Sequence, residues 1–321
     1  MSEPFAELNQ KDWILPAQDI DDYLDPMDLV LETPEQKVEE HVEHVVIIVH
    51  GIRDNGFWTK RVAKELKTLA RVEQISLRAP TPSYGYFSMW DFVRPGGKAQ
   101  ATRWFMEKYA DVKSHFPNAE ISFVGHSNGT YIAGKALNEC HAIKFHRVVL
   151  AGSVLRCSFD WQRVSERVEH VLNYVGSADL VVAFLPAVFE KLGLRFLDVG
   201  GAGAFGFDIA SDEDKLKSLH CKFDEVEYIK GAHSAAIGED TWPEIASFVI
   251  TGKVPEHQTV KRKEWISSLF LSAPAVTVIV LIIAAMLLFA PVVAQLFVGG
   301  GLAVFFGLII SWAASRFIKA W

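Results

Sequence analysis

The chain has 321 residues, 50% hydrophobic and 22% charged, enough for one large folded domain and an additional segment. Its net charge of −7 is unevenly spread: residues 1–44 hold 13 Asp and Glu against two Lys, a local −11 that leaves +4 for the remainder. No basic stretch is interleaved with aromatics, which argues against a nucleic-acid partner. The three cysteines, Cys140, Cys157 and Cys221, are widely spaced and form no Cys-x-x-Cys, which argues against a disulfide framework and a structural zinc site and points to a reducing compartment.

In chain order, residues 1–43 read as an acidic, solvated arm. The opening MSEPFAELNQKDW has neither a basic n-region nor an apolar h-region, so no secretory signal is expected. HVVIIVH (44–50) is a short β-branched run of the kind found in a sheet buried on both faces. TKRVAKELKTLARV (59–72) has helical spacing, with Val62, Leu66, Leu69 and Ala70 on one stripe. EQISLRA (73–79) is the next strand. Residues 98–116 read as a long helix stopped by Pro117, AEISFVG (119–125) as a strand, and TYIAGKALNEC (130–140) as a helix. HRVVLAGS (146–153), HVLNYVGS (170–177) and DEVEYIKG (224–231) are further strands, and TWPEIASFVIT (241–251) closes the domain as a helix with Pro243 in its first turn. Strands alternating with helices predict an α/β fold over 44–252, a mostly parallel sheet with helices on both faces. Ligands then bind outside the carboxyl ends of the strands.

Four of those strand ends carry chemistry. After 44–49 comes His50-Gly51-Ile52-Arg53-Asp54-Asn55-Gly56, a loop able to aim a backbone N–H. After 119–125 the chain reads Gly125-His126-Ser127-Asn128-Gly129, a G-x-S-x-G pattern placed between strand and helix, where it presents a serine on a sharp turn. Asp179 follows 170–177, and His233 follows 224–230. A serine hydroxyl needs an adjacent base, a histidine can take its proton and return it to a leaving group, and a carboxylate fixes the imidazole tautomer. Ser127, Asp179 and His233 are therefore the candidate catalytic residues. Asn128 N–H and Ile52 N–H, or Arg53 N–H in place of the latter, are the candidate oxyanion donors. Asp198, Asp208 and Asp160 follow no comparable strand as closely as Asp179. His50 is expected to order the oxyanion loop and His126 to pack beside the elbow, with Gly51, Gly125 and Gly129 giving them room. None of these histidines has a metal-ligand spacing.

These residues make the sequence, over about 42–252, resemble the α/β-hydrolase family of serine hydrolases, with lipase-like or esterase-like members carrying an HGIRDNG-type loop as the nearest look. The resemblance implies an eight-stranded, mostly parallel sheet, no cofactor, and an ester substrate of unspecified kind. Gly201-Ala202-Gly203-Ala204-Phe205-Gly206 matches G-x-G-x-x-G, but it lies late in the chain and leads into SDEDK, so it reads as a flexible loop or lid and not as a dinucleotide site. PSYGYFSMWDFVRP (82–95), with five aromatics, reads as core packing or an acyl-binding wall.

Residues 253–265 form a basic linker with Lys261, Arg262 and Lys263. From Trp265 to Ser315, 51 residues carry no Asp, Glu, Lys, Arg or His. A spanning helix takes about 20 apolar residues, so 266–315 predicts two transmembrane helices with a break at about 291–301, at Pro291 and Gly299-Gly300-Gly301. Basic residues on both flanks, including Arg316 and Lys319 of the 316–321 tail, predict a hairpin with both ends and the catalytic domain on the cytoplasmic side, and the inner membrane if the source is bacterial. The expected activity is hydrolysis of a carboxylic ester, a lipid or acylated molecule being favoured beside a bilayer. A soluble ester, thioester or amide, or a membrane effector with a ligand-sensing hydrolase-like domain, are the rivals. Oligomeric state is not indicated.

Overall fold

In the computed structural model the described residues are 41–52, 56–83, 96–179, 182, 198–231 and 233–256. Their elements are β1 (His44–Val49), α1 (Phe57–Val72), β2 (Leu77–Arg78), α2 (Gly97–His115), β3 (Glu120–His126), α3 (Asn128–Glu139), β4 (Phe145–Ala151), α4 (Trp161–Val164), β5 (Val168–Gly176), α5 (Ala202–Phe205), α6 (Glu213–Lys217), β6 (Lys222–Ile229) and α7 (Trp242–Thr251). The six strands form one sheet in the order β2-β1-β3-β4-β5-β6, and every pairing is parallel. The α/β expectation therefore holds. The described residues supply six strands where the resemblance implied eight. The arm 1–40, most of the aromatic run 82–95, and the predicted hairpin lie outside the described residues. Among those described, no helix is long and apolar enough to cross a membrane.

The strands read as continuous apolar runs because both faces of the sheet are covered. In β1, Ile47 and Val49 join one core with Phe105 of α2 and Ile132 and Leu137 of α3. Val46 and Ile48 point the other way, into a second core with Val62 and Leu66 of α1 and Phe248 and Val249 of α7. The predicted α1 stripe is the buried one: Val62, Leu66 and Ala70 are enclosed and Leu69 packs at the margin.

The sheet grows from β1 in both directions, with β2 on one side and β3 on the other. The strand order reverses between β1 and β3, and outside the carboxyl ends of strands at such a point is where ligands bind in sheets of this kind. The β1–β3 register, His44 opposite Glu120 through Val49 opposite Gly125, sets His50 level with the start of the elbow.

At the opposite end of β1, His44 is 3% exposed and its Nε2 bonds Ser122 Oγ at 2.8 Å. Burial, helped by the positive charges that His146 and Arg147 can carry, lowers its pKa to about 3. The folded form thus takes up this proton far below the 6.5 of the unfolded chain. Stability contributed by neutral His44 is present above 6.5 and is lost as pH falls toward 3, at up to roughly 1.4 kcal/mol per pH unit. A His44→Gln protein should lose less stability than wild type between pH 6.5 and 4 in urea titrations. Parallel losses would show that His44 takes up its proton as readily in the fold as in the unfolded chain.

Candidate active site

Ser127 sits between β3 and α3 with φ 52° and ψ −120°, a backbone conformation that a residue with a side chain rarely adopts. The turn is held from both sides. Ser127 N–H donates to Ala151 O of β4 at 3.0 Å, and the Ser127 carbonyl accepts from Thr130 N–H at 3.0 Å and Thr130 Oγ1 at 2.6 Å. Gly129 is required because α3 starts almost in contact with β1: a Cβ there would stand 2.6 Å from Val49 O. The N-terminus of α3, beginning at Asn128, places its backbone dipole beside Ser127.

The loop after β1 lies against this turn. A Cβ on Gly51 would come 2.8 Å from Ser127 Cβ and 3.1 Å from His126 Nδ1. His50 is 4% exposed and ties the loop down: Nδ1–H donates to Gly51 O (2.9 Å), which leaves Nε2 to accept from Ser83 Oγ (3.0 Å). The ordering role expected of His50 is what these bonds provide. Ile52 is half-buried and packs against the core on the α2 and α3 side. Arg53, Asp54 and Asn55 lie outside the described residues.

The candidate acid and base, Asp179 and His233, come from the paired ends of β5 and β6. A register shift at Val175/Gly176 lets the two strands continue past their regular ends. Ser177 N–H bonds Ile229 O and Ala178 N–H bonds Gly231 O, both at 2.9 Å, while Ser177 Oγ accepts from Gly231 N–H at 3.2 Å. These bonds carry Asp179 and His233 to the same place. His233 Nδ1 and Asp179 Oδ2 are 2.9 Å apart, and the two residues are only 5% and 2% exposed. The second carboxylate oxygen, Oδ1, accepts from Val182 N–H at 2.9 Å. His126 links this pair to the elbow: its ring lies 4.6 Å from that of His233, its Nε2 is 3.3 Å from His233 O, and Trp58 packs edge-on against its other side. Burial foremost, then the neighbouring His233, holds the His126 pKa well below the usual histidine range, so the ring is neutral. A neutral imidazole facing a carbonyl must present its N–H there, so Nε2 carries the hydrogen. The packing role expected of His126 is thus joined by a bond across the site.

The rival aspartates are occupied elsewhere. Asp198 pairs with Lys135 (3.0 Å) and Arg156 (3.5 Å), Asp160 accepts from Arg163 N–H at the start of α4, and Asp208 is exposed. Residues 201–206 differ from the flexible loop expected of their glycines. Ala202–Phe205 is a helical turn, and Gly203 N–H donates to Ser153 O at 2.7 Å. A Cβ on Gly203 would meet Ser153 N at 2.3 Å, so the small residues serve close packing and not motion. Gly152 was not singled out in the sequence. It ends β4 with φ +53°, and a Cβ there would stand 2.9 Å from His233 Nδ1. A glycine directly after an apolar strand is the only sequence signal it offers. Gly152→Ala should lower kcat/KM at least tenfold and cost about 1–3 kcal/mol, because strain and crowding both fall on His233. Steady-state kinetics with a thermal melt check this, and an unchanged kcat/KM would place His233 away from the reacting centre. Among the described residues, no group of three or more His, Cys, Asp or Glu could hold a metal ion.

Solved structures align with the chain at low identity: the poly(3-hydroxybutyrate) depolymerase LpqC of Bordetella parapertussis (17% identity, 72% of this chain and 84% of that one, TM-score 0.43), a cold-adapted esterase from an Arctic intertidal metagenomic library (14%, 65% and 84%, 0.37), and the acylaminoacyl peptidase of Pyrococcus horikoshii (15%, 73% and 41%, 0.40). No curated protein matches the sequence significantly. Residues 39–157 match the family described as "Putative serine esterase (DUF676)", a stretch that includes β1, the loop after it, the elbow and β4 and stops before Asp179 and His233. With that match over the segment that carries Ser127, the protein is a serine hydrolase.

Proposed function

We propose that this hydrolase cleaves a carboxylic ester through Ser127, His233 and Asp179 by way of an acyl-enzyme. The observation that carries the reading is the strained Ser127 turn set beside a buried His233–Asp179 pair, the two joined through His126. Ser127 Oγ attacks the ester carbonyl carbon as its proton passes to His233 Nε2. The negative charge on the carbonyl oxygen is met by the N–H groups of Asn128 and Ile52, at the start of α3 and in the loop after β1. Collapse of the tetrahedral species expels the alcohol, which leaves with the proton from Nε2. Water, deprotonated by His233, then attacks the acyl carbon and releases the acid and Ser127. Asp179 holds Nδ1–H throughout and stabilises the imidazolium.

The reading extends to location. Residues 266–315 act as a two-helix membrane hairpin and hold the catalytic domain beside the bilayer, which favours a lipid or acylated substrate. The uncharged 51-residue run and its basic flanks support this. Two experiments test the two halves separately. A fluorophosphonate probe should label the wild-type protein and leave Ser127→Ala unlabelled, whereas an unlabelled wild type removes Ser127 as nucleophile. The full chain should stay in the membrane pellet after alkaline carbonate washing, and its release would end the hairpin reading without touching the catalytic one.

A further inference from the structure

Among the described residues β6 ends the sheet, with β5 on one side only. Along its other side runs a groove of about 570 Å³. Five consecutive residues of β6, from Phe223 to Glu227, form one wall. Consecutive strand residues alternate between faces, so a groove that meets all five follows the strand's edge and not one of its faces. The rest of the lining includes Phe205, Phe207 and Leu216 and also Val254, Pro255 and Glu256, the last described residues of the chain. An open strand edge backed by apolar side chains is a template for another extended segment.

The charge of the groove selects the segment. Asp224, Glu225, Glu227 and Glu256 line it, and among the described residues no Lys, Arg or His does. Asp224 is already bonded to His170 at 2.6 Å. Glu225 is bonded on one oxygen only: Oε1 accepts from Asn173 Nδ2 (2.7 Å) and Phe207 N–H (3.0 Å), while Oε2 is buried and has no hydrogen-bond partner among the described residues. Gly206, with φ +78°, brings its backbone against both remaining carboxylates: a Cβ there would lie 2.7 Å from Glu225 Oε2 and 3.1 Å from Glu227 Oε1. Burial foremost, with the charge of Glu227 adding to it, pushes the Glu225 carboxyl up to about 7. A second copy of the chain would bring the same acidic edge and be repelled. A basic extended segment would supply what is missing.

Such a segment begins directly after Glu256 of the groove's lining. Residues 257–263 read HQTVKRK, with β-branched Thr259 and Val260 followed by Lys261, Arg262 and Lys263. The basic run starts five residues after Glu256, a reach of up to about 17 Å in extended chain, comparable with the length of the five-residue wall. We propose that the groove along β6 is the docking site of the chain's own residues 257–263, with the Lys261-Arg262-Lys263 run meeting Glu225 and Glu227. Docking fixes the catalytic domain to the start of the apolar C-terminal segment and caps the open sheet edge. It requires neither the ester chemistry nor a membrane-spanning hairpin.

Limited trypsin digestion of the full chain in neutral detergent, followed by intact mass, tests this at the bonds after Lys261, Arg262 and Lys263. Glu225→Gln/Glu227→Gln should be cut there at least about tenfold faster than wild type, with cleavage elsewhere unchanged. The exposed Glu227→Lys alone, whose melting temperature should match wild type, guards against unfolding and should shift the rate in the same direction. Equal rates in wild type and Glu227→Lys overturn the proposal. So does protection that depends on protein concentration, which would mean a second copy, or protection seen only with anionic vesicles, which would mean that the basic run rests on lipid.

Discussion

Ser127→Ala should reduce kcat for an activated ester on the order of 10⁶-fold, the scale seen when a hydrolase loses its nucleophile but keeps its oxyanion donors. A small residual rate over water should survive, because the proposed oxyanion donors, the N–H groups of Asn128 and Ile52, and the proposed base His233 are untouched. Stability offers an independent reading of the same residue. Ser127 holds φ 52° and ψ −120°, which a β-carbon opposes and glycine tolerates. Ser127→Gly should therefore be as inactive as Ser127→Ala yet more stable than wild type by about 1–3 kcal/mol. Activity and stability moving in opposite directions at one position is what a strained nucleophile turn entails. Retention of more than about a hundredth of wild-type kcat by Ser127→Ala would remove the serine from the chemistry. A Ser127→Gly protein no more stable than wild type would instead remove the strain argument.

The principal helices and every strand but β2 were legible because each is long and strongly patterned, whereas the strand expected over 73–79 is paired only at Leu77 and Arg78. HVVIIV is apolar at every position after His44, and Val46 and Ile48 serve one core while Ile47 and Val49 serve another. The elbow was legible for a different reason: G-x-S-x-G falls between a strand and a helix, so local pattern and site coincide. What the sequence hid depends on contacts between distant segments. Gly152 matters because His233, 81 positions later, occupies the space its side chain would take. Trp58 and His126 are adjacent only after α1 has crossed the sheet face. The glycines of 201–206 misled because composition alone cannot separate a mobile turn from a backbone pressed against another backbone. Gly203 belongs to the second kind, lying on Gly152 and Ser153. The register shift between β5 and β6 was equally invisible, yet it carries Asp179 to His233.

Asp179→Asn should lower kcat/KM by about 10⁴-fold while changing stability by less than about 1 kcal/mol, and the surroundings of this carboxylate dictate why. Both its oxygens accept hydrogen bonds, Oδ1 from Val182 N–H and Oδ2 from His233 Nδ1–H, each at 2.9 Å. Asparagine has one acceptor and one donor end to offer. The backbone N–H of Val182 cannot change its role, so the amide oxygen stays with it and the NH₂ group turns to His233. The imidazole can still satisfy that contact, but only by making Nδ1 an acceptor and moving its hydrogen to Nε2. In that tautomer His233 has no lone pair on Nε2 with which to take the proton of Ser127. The imidazolium formed in the transition state also loses its counter-charge in a site where Asp179 is only 2% exposed. Because both native contacts have a replacement, the variant should melt near wild type, which separates this loss from unfolding. Proton NMR of the Nδ1–H region provides the direct check: the downfield resonance of wild type should vanish in Asp179→Asn. A variant that kept more than a tenth of wild-type kcat/KM would show that Asp179 does not orient the base.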